Sequence, residues 1–180
     1  MFLNIINKYL LIIIIFLTIL NVHPTNTLRL KLTQLKCNVT DKSFSKFQIC
    51  RIKAESRSLQ YLTIYIKFFQ LPIEDINVRF RFMKKANGYK PFLYDFIAKC
   101  DFLKRLNPVV KMVWGWFKGV SNLNHSCPLT EDFEIKRLEN QFMEEQLRSL
   151  PLINGDYALI VNFGVKNSTK FNIEFYVTIF

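Results

Sequence analysis

From Leu28 onward, apolar and polar residues alternate in short runs. Leu28, Leu30 and Leu32 alternate with Arg29, Lys31 and Thr33. Leu62, Ile64, Ile66 and Phe68 alternate with Tyr61, Thr63, Tyr65 and Lys67, and Val78, Phe80 and Phe82 with Arg79, Arg81 and Met83. A period of two places one side of each run in a core and the other in water, the pattern of a half-buried strand. Asn87-Gly88 follows the third run, and both residues accept positive φ, so a hairpin turn is expected there with a further strand over about 89–102. Near the C-terminus Tyr157, Leu159, Val161, Phe163 and Val165 alternate, residues 166–168 turn, and Phe171, Ile173, Phe175, Val177 and Ile179 alternate again. With strands near Phe44–Glu55 and Phe133–Arg137, the count reaches about eight. The prediction is an all-β fold, an antiparallel β-sandwich formed by a single domain over 28–180.

One segment breaks the period. Asn107-Pro108 opens VVKMVWGWFK and Gly119 closes it, the order of an N-cap, a first-turn proline and a terminal glycine, which predicts a short helix over about 107–118. Lys111, Gly115 and Lys118 share its narrow polar side, so the remainder, including Trp114 and Phe117, must be buried or lie against something apolar. The stretch from Glu131 to Glu145 concentrates six carboxylates and reads as a solvated loop and partial helix, or as a segment folded back over a basic patch.

The first residues differ from the rest. Lys8 precedes the apolar run Tyr9–Leu20, and the polar NVHPTNT follows, the layout of a secretory signal peptide over 1–24 with cleavage between 20 and 28. A retained anchor needs roughly 20 apolar residues, and this run has 12 before Asn21 and Pro24. About 155 residues then remain, enough for one core. The net charge of +11 falls only to +10 with the loss of Lys8, which points to acidic partners such as anionic lipid, glycan or protein. Export and the scatter of the basic residues argue against nucleic acid. All four cysteines, Cys37, Cys50, Cys100 and Cys127, follow the signal and read as two disulfides, their spacing being too wide for zinc. Three acceptor sequons, at Asn38, Asn124 and Asn167, fit a secreted, extracellular N-glycoprotein.

Catalytic chemistry finds little purchase. His23 lies beside the cleavage region and His125 inside a sequon next to Cys127; no nucleophile elbow, metalloprotease helix or phosphate loop is present. The expectation is a protein that is not an enzyme and holds no metal or cofactor. The aromatic load is the informative feature, with eighteen Phe, seven Tyr and two Trp. These rings either fill a solid core or, if the sheets splay, line an apolar cavity. The candidate lining residues are Ile64, Ile66, Phe68, Phe80, Phe82, Trp114, Phe117, Phe163 and Phe175. At about 0.8 kcal/mol per buried methylene, a chain of roughly 14 carbons offers on the order of 10 kcal/mol before ordering costs.

The stretches TQLKC, KSFSKFQICRIKA, NGYKPFLYDFIAKCDFL, NPVVKMVWGWFKGVSNLNHSCP and LPLINGDYALIVNF, in that order and spacing, resemble an insect family of domain-of-unknown-function proteins that includes the CheB-type chemosensory proteins. The resemblance runs from about Leu30 to Phe180. That family is more distantly similar to the ganglioside-activator and ML lipid-recognition proteins, and Cys127-Pro128 with Gly155-Asp156-Tyr157 resembles their pattern. The resemblance implies a β-cup with a lipid between two sheets, although this chain has fewer cysteines than the activator proteins. The preferred pairings are Cys37 with Cys50, across the first hairpin, and Cys100 with Cys127, clamping the helix as a lid or membrane-touching edge. The expected function is a secreted binding protein for a small hydrophobic ligand, lipid or hydrocarbon, in a chemosensory setting, with transient membrane or receptor contact. The alternative is a protein-interaction module with a solid core and a basic docking face of Arg29, Lys31, Arg79 and Arg81.

Overall fold

The computed structural model describes residues 28–93, 95–99, 115, 117–122, 127–148, 150 and 152–180. The expected signal peptide, Cys100, Trp114, Asn124 and most of the expected helix over 107–118 lie outside the described residues; within that helix, Gly115, Phe117 and Lys118 are helical.

Nine strands and one helix are described: β1 (Leu30–Val39), β2 (Ser45–Ala54), β3 (Gln60–Phe68), β4 (Ile76–Ala86), β5 (Gly88–Pro91), β6 (Phe96–Lys99), β7 (Phe133–Glu139), α1 (Asn140–Leu147), β8 (Gly155–Val165) and β9 (Ser168–Ile179). They form two antiparallel sheets, β1-β9-β8-β4 with β5 and β6 together on the outer edge of β4, and β2-β3-β7. The expected all-β sandwich is what the chain forms. The C-terminal hairpin turns at Lys166 and Asn167, both at positive φ (48° and 63°). Positive φ at both central residues matches the twist of the flanking strands.

Two expectations need correction. The strand expected over 89–102 is broken: β5 pairs with Met83–Ala86 and β6 with Asn77–Phe80, so the outer ladder along β4 is interrupted opposite Arg81 and Phe82. Pro91, which has no N–H to donate, stands at the break on an edge, where a proline is tolerated. The acidic stretch, expected to hold a partial helix, contains α1, which follows β7 without a loop. Finally, β1 and β2 are no hairpin; they belong to different sheets.

That last difference explains the disulfide. A bulge between Leu32 and Gln34 shifts the inward phase of β1 from Leu30 and Leu32 to Leu35 and Cys37, and a second bulge between Phe47 and Ile49 shifts β2 so that Cys50 and Ile52 follow Phe47 inward. Each bulge adds one residue and so reverses which face the following side chains meet. Cys37 and Cys50 thereby face each other from opposed sheets and bond, stapling the edges of the sandwich. Cys127 is also disulfide-bonded.

The core lies between the sheets. Leu62, Ile64, Ile66 and Phe68, on the central strand of the small sheet, pack toward Phe163, Phe171, Ile173 and Phe175 of the large one. One end is filled with rings: Phe163 stacks on Phe171 at 4.6 Å, Phe68 lies 5.9 Å from Phe163, and Phe44 lies 5.7 Å from Phe68. Phe47 meets Phe171 edge-on at 5.5 Å. Aromatic contacts of this kind add to the burial of their area. At the other end α1 closes the sandwich through Asn140, buried to 4 % exposure. Its Oδ1 accepts from Gln60 N (2.9 Å), and its Nδ2 donates to Leu30 O (3.1 Å) and Ser58 O (3.0 Å), while Glu144 accepts from Leu30 N (2.8 Å). One side chain thus satisfies backbone groups at the start of both sheets.

Candidate functional site

At the end of the sandwich away from the phenylalanine cluster, the sheets enclose an apolar cleft of about 90 Å³. Phe82 and Met83 of β4, Tyr157 and Leu159 of β8, and Phe175, Val177 and Ile179 of β9 form the large-sheet wall. Leu138 of β7, with Met143 and Leu147 of α1, forms the opposite wall; Phe117, Leu150 and Leu152 contribute from the connections, and Phe92 and Leu93 from the break between β5 and β6. The wall exposes almost no polar atom. A water needs two to four polar partners, so such a space favours an apolar occupant. With one water's share of liquid at roughly 30 Å³, the space admits a ring or a short chain end. A longer chain must run out over the mouth.

The mouth has its own structure. Phe92 meets Tyr157 edge-on at 5.5 Å, and the Tyr157 hydroxyl donates to Ile153 O at 2.8 Å. Phe92, Leu93 and Ile153 remain 39 %, 41 % and 65 % exposed. The Lys84 ammonium stands 5.4 Å from the Tyr157 ring centre and 6.0 Å from that of Phe92.

Of the residues expected to line a pocket, Phe82, Phe117 and Phe175 line this one. Ile64, Ile66, Phe68 and Phe163 are packed into the core, and Phe80 is stacked on Phe96 at 4.9 Å. Both ways of using rings therefore occur, at opposite ends of one sandwich. The α1 side chains Met143 and Leu147 were hidden by the acids around them; the signal that finds them is Leu147 one helical turn beyond Met143.

The outer face of the large sheet is not uniformly basic. Arg29 and Lys31 lie along one edge of that sheet and Arg79 and Arg81 on β4, with β9 and β8 between them. Arg81 pairs with Asp95 (3.4 Å), and the intervening strands carry Glu174 and Asp156. Glu174 accepts from the Tyr176 hydroxyl at 2.6 Å and pushes that phenol up to about 12. Thr178 (2.7 Å) and Lys85 (3.2 Å) hold the Asp156 carboxyl below its ordinary value. Asn38 and Asn167 are exposed, Asn167 at the tip of the β8–β9 turn. Among the described residues no group of His, Cys, Asp and Glu converges as a metal site would, and no helix is long and apolar enough to cross a membrane.

Fold and site together define a two-sheet antiparallel sandwich with a carbon-walled cleft at one end. Residues 78–159 match an uncharacterised domain family, described as Protein of unknown function (DUF1091). No curated protein matches the chain. The matched span runs from β4 into β8 and contains every lining residue of the cleft except Leu30, Phe175, Val177 and Ile179.

Proposed function

We propose that this is a secreted glycoprotein that binds a small hydrophobic ligand between its two sheets and releases it unchanged. The observation that carries the reading is the cleft: a space of about 90 Å³ whose wall is almost wholly carbon, at the end of the sandwich opposite a packed cluster of rings. Burying a ligand methylene there is worth about 0.8 kcal/mol, and no wall group is positioned to react with it. The disulfide, the exposed sequon asparagines Asn38 and Asn167 and the apolar run Tyr9–Leu20 support export. The resemblance to CheB-type and, more distantly, ML lipid-recognition proteins supports a lipid or hydrocarbon ligand and a chemosensory setting. The interleaved acids make the outer face a poorer docking surface than a basic patch would be.

The test is native mass spectrometry of the secreted protein, with solvent extraction of what co-purifies, alongside titration of the protein with 1-octanol followed by methyl NMR. A bound hydrophobic molecule, or saturable shifts confined to Leu138, Leu159 and Val177, is the expected result. An empty protein whose methyl signals do not respond to 1-octanol overturns the reading.

A further inference from the structure

A cationic side chain, Lys84, stands over two of the rings that line the cleft. Along β4 the inward row runs Val78, Phe80, Phe82 and then Lys84, so a lysine occupies the position where the alternation calls for the next apolar residue. The ladders place Lys84 opposite Tyr157 on β8 and opposite Lys90 on β5. Directly paired residues project from the same face of a sheet, so Tyr157, Lys84 and Lys90 make one row across three strands. Two like charges opposite each other on neighbouring strands destabilise the pairing. Among the described residues neither lysine has a carboxylate partner, whereas Lys85, pointing to the other face, is paired with Asp156. The Lys84 stem lies over Gly155, where an added Cβ would sit 3.8 Å from its Cε, and its ammonium is held over the rings of Phe92 and Tyr157, both of which line the cleft.

We infer that Lys84 and Lys90 take the anionic headgroup of a single-chain amphiphile whose apolar end enters the cleft. This inference rests on the cleft reading above and names its ligand class. The wall offers a ligand no hydrogen bond, so any polar head must remain at the mouth. There an anion relieves the Lys84–Lys90 repulsion and gains charge-assisted hydrogen bonds. The tail runs past the exposed Phe92 and Leu93, and its last carbons fill the enclosed space.

The experiment is calorimetric titration of the intact secreted protein with sodium octanoate and with 1-octanol, which share a chain length and differ in charge. Octanoate is expected to bind about tenfold more tightly, as one well-placed charge-assisted contact provides. Lys84→Met keeps the stem over the rings but removes the charge; it is expected to abolish the preference for octanoate, and a circular dichroism spectrum and urea midpoint matching those of the unmodified protein show that the variant is folded. Lys84→Arg retains the preference. Equal binding of both probes, or an octanoate preference that survives Lys84→Met combined with Lys90→Met, overturns the inference while the cleft reading stands. Failure of both probes to bind overturns both. Binding to phosphatidylserine vesicles without binding of octanoate overturns the inference too, since the lysines then serve a membrane surface.

Discussion

Replacing Asn140 by alanine tests how the two sheets are joined at the cleft end. The amide connects Leu30 at the start of β1, Ser58 before β3 and Gln60 at the start of β3 through three hydrogen bonds of 2.9 to 3.1 Å. A typical intramolecular hydrogen bond contributes about 1 kcal/mol net, and a buried group left without a partner costs about 1–3 kcal/mol. The bond to Leu30 O is buried, while those to Ser58 O and Gln60 N are only partly so and water can replace them. The expected loss is therefore about 3 kcal/mol. Urea denaturation followed by circular dichroism reads this as a lower midpoint at unchanged slope. A thermal scan of a domain this size shows a melting temperature lower by roughly 6–12 °C. Asn140→Asp is expected to be at least as damaging at neutral pH, because a carboxylate accepts from Gln60 N but cannot donate to the two carbonyls and stands near Glu144. A loss under about 0.5 kcal/mol for Asn140→Ala refutes the reasoning and removes Asn140 as the joint between the sheets.

Replacing both Cys37 and Cys50 by serine opens a closure of 13 residues and is expected to cost about 3 kcal/mol, measured by urea midpoint against the oxidised protein. Phe163→Ala removes the ring that contacts Phe44, Phe68 and Phe171; an expected loss of about 3–5 kcal/mol, read in the same assay, marks that end of the sandwich as solid, and octanol binding at the other end should persist. The Asp41 carboxyl is held at about 2 by hydrogen bonds from Lys170 and Ser43. A depressed carboxyl stabilises the fold above its unfolded value, and that contribution fades as pH falls toward 2. Carboxyl-detected NMR titration should place the Asp41 midpoint below those of unpaired aspartates, and Lys170→Met should raise it; an ordinary midpoint in the unmodified protein contradicts the contact.

The sequence by itself determined the strands and most of their inner faces. In β3 and β9 the alternation Leu62-Ile64-Ile66-Phe68 and Phe171-Ile173-Phe175-Val177-Ile179 reads off directly, because neither run is interrupted and a period of two is a local property of extended backbone. The C-terminal hairpin was equally legible; the Cys37–Cys50 pair was expected across a hairpin, whereas it joins two sheets. Tertiary structure alone decided which sheet each strand joins, since β1 meets β9 from the far end of the chain rather than β2 beside it. It also decided the bulges at Leu32/Gln34 and Phe47/Ile49, which depend on partners in other strands and reverse the face that every later residue presents. The cleft belongs to this second class. Its walls come from five strands, a helix and the connections between them, and whether rings there fill space or leave it depends on how those elements meet. Only that meeting turns Lys84, in sequence one more basic residue among twenty-five, into the charge that stands over an apolar opening.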